Sequence, residues 1–366
     1  MESSFVKKKG AASPFSCEKL PPGTRISPFN RALLTSTGLA SLDSILGGGL
    51  CVGSILLIEE DAYAAHFDLL LKYLAAEGAA CNQTLYVASA SADREEADQW
   101  VRSLPVAASS ATPVAADDPF FRIAWQYQKY NRRNPTSSVS WCHKFDWSRS
   151  LNDAGPHGPS YHAFCHPLTL EIQLPERHPY LSLYSDLKEK IDSANRSTLE
   201  NTDLRVQRIL VRSIGSHWAA SPASCETETV TWLRALRGLI RRSSAVAIVS
   251  FPAYLWQGDS RSKNTEFVNH VRHAADVVVQ LISFSDADSP VNPAFTPFDG
   301  LLKLVKTPKV GVAHVAAITS YTYKITKKEF QIEKICLPPD EATLNEQVKD
   351  QLLKRDKGRS TRTIDF

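Results

Sequence analysis

Apolar residues recur along this chain with two different periods, and the way the periods alternate predicts the fold. Ser54 to Ile58 is a continuous apolar run, the pattern of a buried strand. Phe67, Leu70, Leu71 and Leu74 then recur at i, i+3, i+4 and i+7, which predicts a helix stopped by Gly78. Thr84 to Ala88 predicts a second strand, and Ile209 to Val211 a third. A helix over Val230 to Arg242 would turn Val230, Leu233, Leu236 and Ile240 inward, with Arg234, Arg237, Arg241 and Arg242 outward. Strand Ala245 to Phe251, helix Phe267 to Ala275 and strand Val277 to Ile282 follow. Leu301 to Val305, Val315 to Tyr323 and Phe330 to Leu337 then succeed one another as strands with no helix between. Buried strands alternating with helices predict an α/β fold. Its twisted sheet is mostly parallel and flanked by helices, with antiparallel strands at the C-terminal edge.

The same pattern sets the domain limits. Residues 1–22 lack periodicity and carry Ser, Lys, Gly and Pro, so a disordered tail is expected there. One domain is expected over 23–340. Between about 103 and 200 it is interrupted by Pro-containing aperiodic stretches, read as a loop-rich insertion. One helix is predicted inside it, with Tyr184, Leu187 and Ile191 on one face. Residues 341–366 form a tail made basic by Lys349, Lys354, Arg355, Lys357, Arg359 and Arg362.

Composition narrows the class. No apolar run reaches the ~18 residues a membrane span needs, and Lys7, Lys8 and Lys9 precede small and polar residues rather than a signal-peptide core. The expectation is a cytoplasmic and nuclear protein without membrane contact. A net charge of +3 over 366 residues is too small to argue nucleic-acid binding by itself. The seven cysteines, with no C-x-x-C, read as reduced thiols.

The stretch "STGLASLDSILGGGLCVGSILLI", Ser36 to Ile58, resembles the opening of RecA/KaiC-type ATPase folds. There the strand leads into G-x-x-x-x-G-K-[ST], whose glycines let backbone N–H groups curl around phosphates. In register from Gly53, the motif falls on Glu60 to Phe67. Glu60 and Ala65 replace the glycines, His66 the lysine and Phe67 the magnesium-binding hydroxyl. The second strand should end in a catalytic glutamate, where this chain has Ala90 and Ser91. The third should end in an aspartate that orients magnesium, where it has Arg212, a strand-end charge in water or an ion pair. The resemblance therefore implies a RecA-like scaffold with a degenerate phosphate loop.

The segment GGGL followed by I-E-E-D, with "RIAWQYQKY", "WCHKFDWSRSL", "RILVRSIGS", "LRGLIRRSSAVAIVSFP", "FDGLLKLVKTP" and a final "DF", resembles one family, Elongator complex protein 4. The resemblance implies a subunit that is not itself an enzyme and carries no cofactor. It would sit in a hetero-hexameric ring with Elongator proteins 5 and 6. The ring docks on the catalytic Elongator subunits, binds tRNA and supports modification of the wobble uridine at carbon 5. Acetyl-CoA and the radical SAM iron–sulfur cluster belong to another chain. A divergent KaiC/RecA-type ATPase, or a pure scaffold without RNA contact, remain open from the residues alone.

Three further groups stand out. Cys142, His143, His157, His162, Cys165 and His166 gather Cys and His, but without the doubled spacing of structural zinc sites, so no metal is expected. In the RecA architecture, loops after the fourth and fifth strands face the pore. They map to about 215–225 and 252–264, and Arg261 and Lys263, beside Tyr254 and Trp256, are the tRNA-contact candidates. Trp125, Trp141, Trp147 and Trp256 lie in predicted loops or short segments and suggest partner surfaces.

Overall fold

The apolar runs assemble into one nine-stranded sheet with helices on both faces. A computed structural model describes residues 20–89, 94–107, 141–151, 165–169, 179–201, 205–216, 222–256, 263–285, 295, 297–307, 320–327 and 329–334. In chain order the elements are β1 (Thr24–Ile26), β2 (Leu33–Thr35), α1 (Ala40–Ile45), β3 (Leu50–Cys51), β4 (Ile55–Glu59), α2 (His66–Ala80) and β5 (Thr84–Ser89). Then come α3 (Arg94–Arg102), β6 (Pro105–Ala107), β7 (Phe145–Ser150), β8 (Cys165–Thr169), α4 (Pro179–Asn201), β9 (Gln207–Val211) and α5 (Pro222–Ile240). The chain continues through β10 (Ala245–Phe251), a 3-10 turn (Ala253–Trp256), α6 (Lys263–Ala274), β11 (Val277–Ser283), β12 (Gly300–Lys306), β13 (Ser320–Ile325) and β14 (Phe330–Lys334).

The sheet runs β14-β13-β12-β11-β4-β10-β9-β5-β8. The six strands from β11 to β8 are parallel, and β12, β13 and β14 add on antiparallel. This is the RecA-like α/β architecture, with the antiparallel edge where the sequence places it. β4 shows why the central strands read as unbroken apolar runs. Ile55 and Leu57 enter the core under α4, α5 and α6, while Leu56 and Ile58 enter the core under α2. A strand covered on both faces has no polar alternation to show. α4 supplies Tyr180, Leu183, Leu187 and Ile191 to the first core, with Tyr184 packed against it, so the predicted helix face is present and one turn longer.

Two departures from the sequence reading have a packing cause. α2 does not stop at Gly78 but continues to Ala80. Gly78 is there to let the Arg208 side chain pass: a Cβ on it would lie 2.6 Å from Arg208 Cδ. α5 begins at Pro222, eight residues before the predicted start, because its first turns lack the apolar stripe that marks its later ones.

The connection β4–α2–β5 runs over one face and β10–α6–β11 over the other. The loops leaving the adjacent strands β4 and β10 therefore diverge at their carboxyl ends. Open α/β sheets bind ligands in the crevice such a divergence leaves. No helix among the described residues is long and apolar enough to cross a membrane.

Candidate functional site

The phosphate-loop motif falls at that crevice, and the side chains of Glu60 and His66 are each engaged by a neighbour. Glu59, the last residue of β4, is fully buried and takes both arms of the Arg272 guanidinium from α6, at 2.5 and 2.8 Å. Glu60 is buried beside it. Its Oε1 accepts from the Ser250 hydroxyl of β10 at 2.7 Å and from the Ser213 hydroxyl after β9 at 2.8 Å. Ser213 reaches it from a left-handed backbone (φ 51°), a conformation that costs about 1–3 kcal/mol for a residue with a Cβ.

Ala65 precedes α2 with no side-chain cap, and His66 opens the helix. The His66 ring stands edge-on to Tyr323 of β13, its Nδ1 2.9 Å from the Tyr323 hydroxyl. Burial lowers the His66 pKa, against the opposing charges of Asp299 and Asp61. The imidazole is thus held towards its neutral form, where a phosphate-loop lysine would carry a fixed charge. Phe67 packs partly buried against the α2 core.

Arg212, at the end of β9, pairs with Asp68 of α2 at 3.3 Å. Of the two sequence readings for Arg212, the ion pair holds. Trp100 of α3 donates its Nε1–H to the same Asp68 oxygen at 2.7 Å, and Lys72 approaches the other oxygen at 3.3 Å. The Arg212 guanidinium lies over the Trp100 ring, 5.4 Å from its centroid. A phosphate site puts a cation on this helix and an acid on the strand end. Here the charges are exchanged, and they neutralise each other across the crevice. Ala90 lies outside the described residues.

The pore-loop candidates fare differently. Arg261 lies outside the described residues, and Lys263 is described only as the first residue of α6. Trp256 is half-buried. Its Nε1–H donates to the Gly215 carbonyl at 2.9 Å and its ring packs edge-on to Phe267 at 4.7 Å. Trp147 likewise packs on Tyr73 at 5.1 Å, and Trp141 lies under the Arg25 guanidinium at 4.0 Å. These three tryptophans serve the chain's own packing. Trp125, His157 and His162 lie outside the described residues, and Cys165 and His166 are described only as backbone of β8.

Comparison with known proteins now decides the family. A family model described as "PAXNEB protein" matches residues 17–366. The chain is 32% identical over 348 residues to Elongator complex protein 4 of Danio rerio, covering 87% of this chain and 85% of that one. It is 32% identical over 374 residues to Elongator complex protein 4 of Mus musculus, covering 92% and 85%. The chain belongs to the Elongator complex protein 4 family. Elongator complex protein 4 of Schizosaccharomyces pombe is more distant, 24% identical over 370 residues, yet the match spans 94% of both chains.

In this member of the Elongator complex protein 4 family, sequence reasoning found the loop positions but missed Asp68, Ser213, Ser250 and Arg272. None of them belongs to the phosphate-loop motif. The one available signal was charge: Asp68 stands beside the position where a phosphate loop has its hydroxyl, and so argues against an anion there.

The crevice has a pH signature. Burial raises the Glu60 pKa, the more so with Asp68 near, and outweighs the hydrogen bonds from Ser250 and Ser213 and the charge of Arg212. An acid whose pKa is raised on folding binds more protons folded than unfolded, so its contribution falls as pH rises from the ordinary carboxylate range through the raised value. Glu60→Gln keeps the acceptor oxygen and removes the titration. The expected result is a thermal midpoint in the variant at least equal to wild type at neutral pH, with a flatter profile as pH rises above the ordinary carboxylate range. Parallel profiles would show that Glu60 does not titrate in this window.

Proposed function

We propose that this chain is a non-catalytic, RecA-like subunit of the Elongator complex. In this reading it forms a hetero-hexameric ring with Elongator proteins 5 and 6. The ring binds tRNA and supports the catalytic subunits in modifying the wobble uridine at carbon 5. The observation that carries the proposal is the filled crevice. A phosphate loop acts through backbone amides, a lysine and a metal ligand together. Here Glu60, His66 and Arg212 hold the corresponding places, each bound to a neighbour within this chain. The RecA scaffold then serves geometry, while this chain supplies no nucleotide site of its own. The name of the relatives, Elongator complex protein 4, supports the complex, and cytoplasm and nucleus are the compartments the proposal assigns.

The test is co-expression of this chain with Elongator proteins 5 and 6, followed by mass determination and tRNA binding over a salt series. Two copies of each chain are expected in one assembly. Arg261→Ala together with Lys263→Ala should leave the assembly intact, weaken tRNA binding several-fold and flatten its salt dependence. Failure to assemble, or an ATP-dependent thermal shift in the isolated chain, would overturn the proposal. Assembly without tRNA binding would select a scaffold instead.

A further inference from the structure

Away from the crevice, a second group of polar side chains gathers on the opposite end of α2. Glu77 and Cys81 are one helical turn apart and share a face. The loop before β7 lays Cys142 and His143 against that face. His143 Nδ1 is 3.1 Å from Glu77 Oε1, and its backbone N–H donates to Glu77 Oε2 at 3.0 Å. Cys81 Sγ is 3.3 Å from the same Oε1. The donor atoms of Glu77, Cys81 and His143 all lie within 4.8 Å of one another. Glu77 and Cys81 are buried, while Cys142 and His143 are half-buried and give access from solvent.

We infer that Glu77, Cys81 and His143 form a zinc site that pins the loop before β7 to α2, with the fourth position left to water. The donor chemistry selects the ion. Thiolate and imidazole favour zinc over magnesium or calcium, which take oxygen shells. Bond lengths near 2.0–2.3 Å in a tetrahedron put neighbouring donors roughly 3.3–3.8 Å apart. The 3.3 Å from Cys81 Sγ to Glu77 Oε1 and the 3.1 Å from His143 Nδ1 to the same oxygen lie at or just below that range, and the three donors lie within 4.8 Å of one another. Charge also balances. A dication held by one thiolate and one carboxylate is neutral, with the imidazole as a neutral donor. The Cys81 thiol donates as a thiolate once the cation displaces its proton. The clip would join positions 66 residues apart, where closing a long loop gives its largest entropic gain. The proposal departs from the expectation of no metal drawn from spacing. Helix positions i and i+4 paired with one His in a distant loop match no zinc pattern in the sequence.

The full-length chain, purified without chelator, should carry zinc in stoichiometric amount by elemental analysis. Cobalt(II) loaded in its place should give a near-ultraviolet thiolate-to-metal charge-transfer band and the intense visible bands of tetrahedral cobalt. Cys81→Ser and His143→Gln, checked for folding by circular dichroism, should each weaken cobalt binding by roughly 10-fold or more. Should a variant fail to fold, the wild type provides the second measurement. Zinc should slow alkylation of Cys81, and a chelator should restore it, the thiol being read by mass spectrometry. A folded wild type with neither zinc, cobalt bands nor zinc-dependent protection would overturn the site. So would an unchanged cobalt spectrum in folded Cys81→Ser.

Discussion

Arg208→Leu should destabilise this protein by about 3–5 kcal/mol, the range for removing one partner of a buried charged network. Arg208 lies in the middle of the sheet, in β9, and is 1% exposed. Its guanidinium spends its donors on four acceptors. Nε–H donates to Gln83 Oε1 at 2.6 Å and one terminal nitrogen to the Leu74 carbonyl at 2.8 Å. The other donates to the Thr35 hydroxyl and the Ser36 carbonyl, both at 2.8 Å. Ser36 in turn donates to Asp43, which also takes the Thr37 N–H and hydroxyl. Removing the cation strands those acceptors and leaves Asp43 and Glu77 buried without it. A loss of this size is a large part of the ~5–15 kcal/mol that holds a typical domain. Arg208→Lys should lose most of it too, because an ammonium cannot reproduce a planar fork. Gly78→Ala tests the same packing from the helix side. Alanine favours a helix by about 1 kcal/mol over glycine, yet its Cβ would meet Arg208 Cδ at 2.6 Å. Overpacking a fixed side chain costs about 1–3 kcal/mol, so the variant should be less stable in urea. A raised urea midpoint for Gly78→Ala, or an unchanged one for Arg208→Leu, would contradict this account.

The second large effect is an asymmetry at the crevice. Arg272→Ala should cost about 3 kcal/mol or more, while Glu59→Gln should cost about half as much. The Glu59 carboxylate is fully buried, whereas the Arg272 side chain is 28% exposed. Without arginine the carboxylate remains in the interior with no cation, and removing a partner from a buried pair is costly for that reason. Without the carboxylate the guanidinium turns to water, and the glutamine oxygen still accepts one hydrogen bond. Urea denaturation of both variants measures the difference. Equal losses would show that solvent reaches Glu59 more freely than its burial implies.

Both effects lie where the sequence was least informative. The order of strands and helices was legible because each element carries its own period: Phe67, Leu70, Leu71 and Leu74 mark α2 whatever packs upon them. The departures from the phosphate-loop motif were equally legible, because that motif is contiguous and His66 and Phe67 stand in its register. The family was legible because its marker segments keep their order along the chain. What the sequence could not show is which charge meets which. Arg208 in an apolar strand and Gly78 in a helix each look like a local defect, and only the contact between them explains both. Arg212 had two readings until folding brought it to Asp68. Trp256 read as a surface ring until Gly215 and Phe267 enclosed it. Cys81 and His143 carry no zinc spacing because their proximity is made by a helix meeting a distant loop. Periodicity records the face an element turns to its core, which is a local property. Ion pairs, capped carbonyls and metal donors join residues tens to hundreds of positions apart, and the tertiary structure alone decides them.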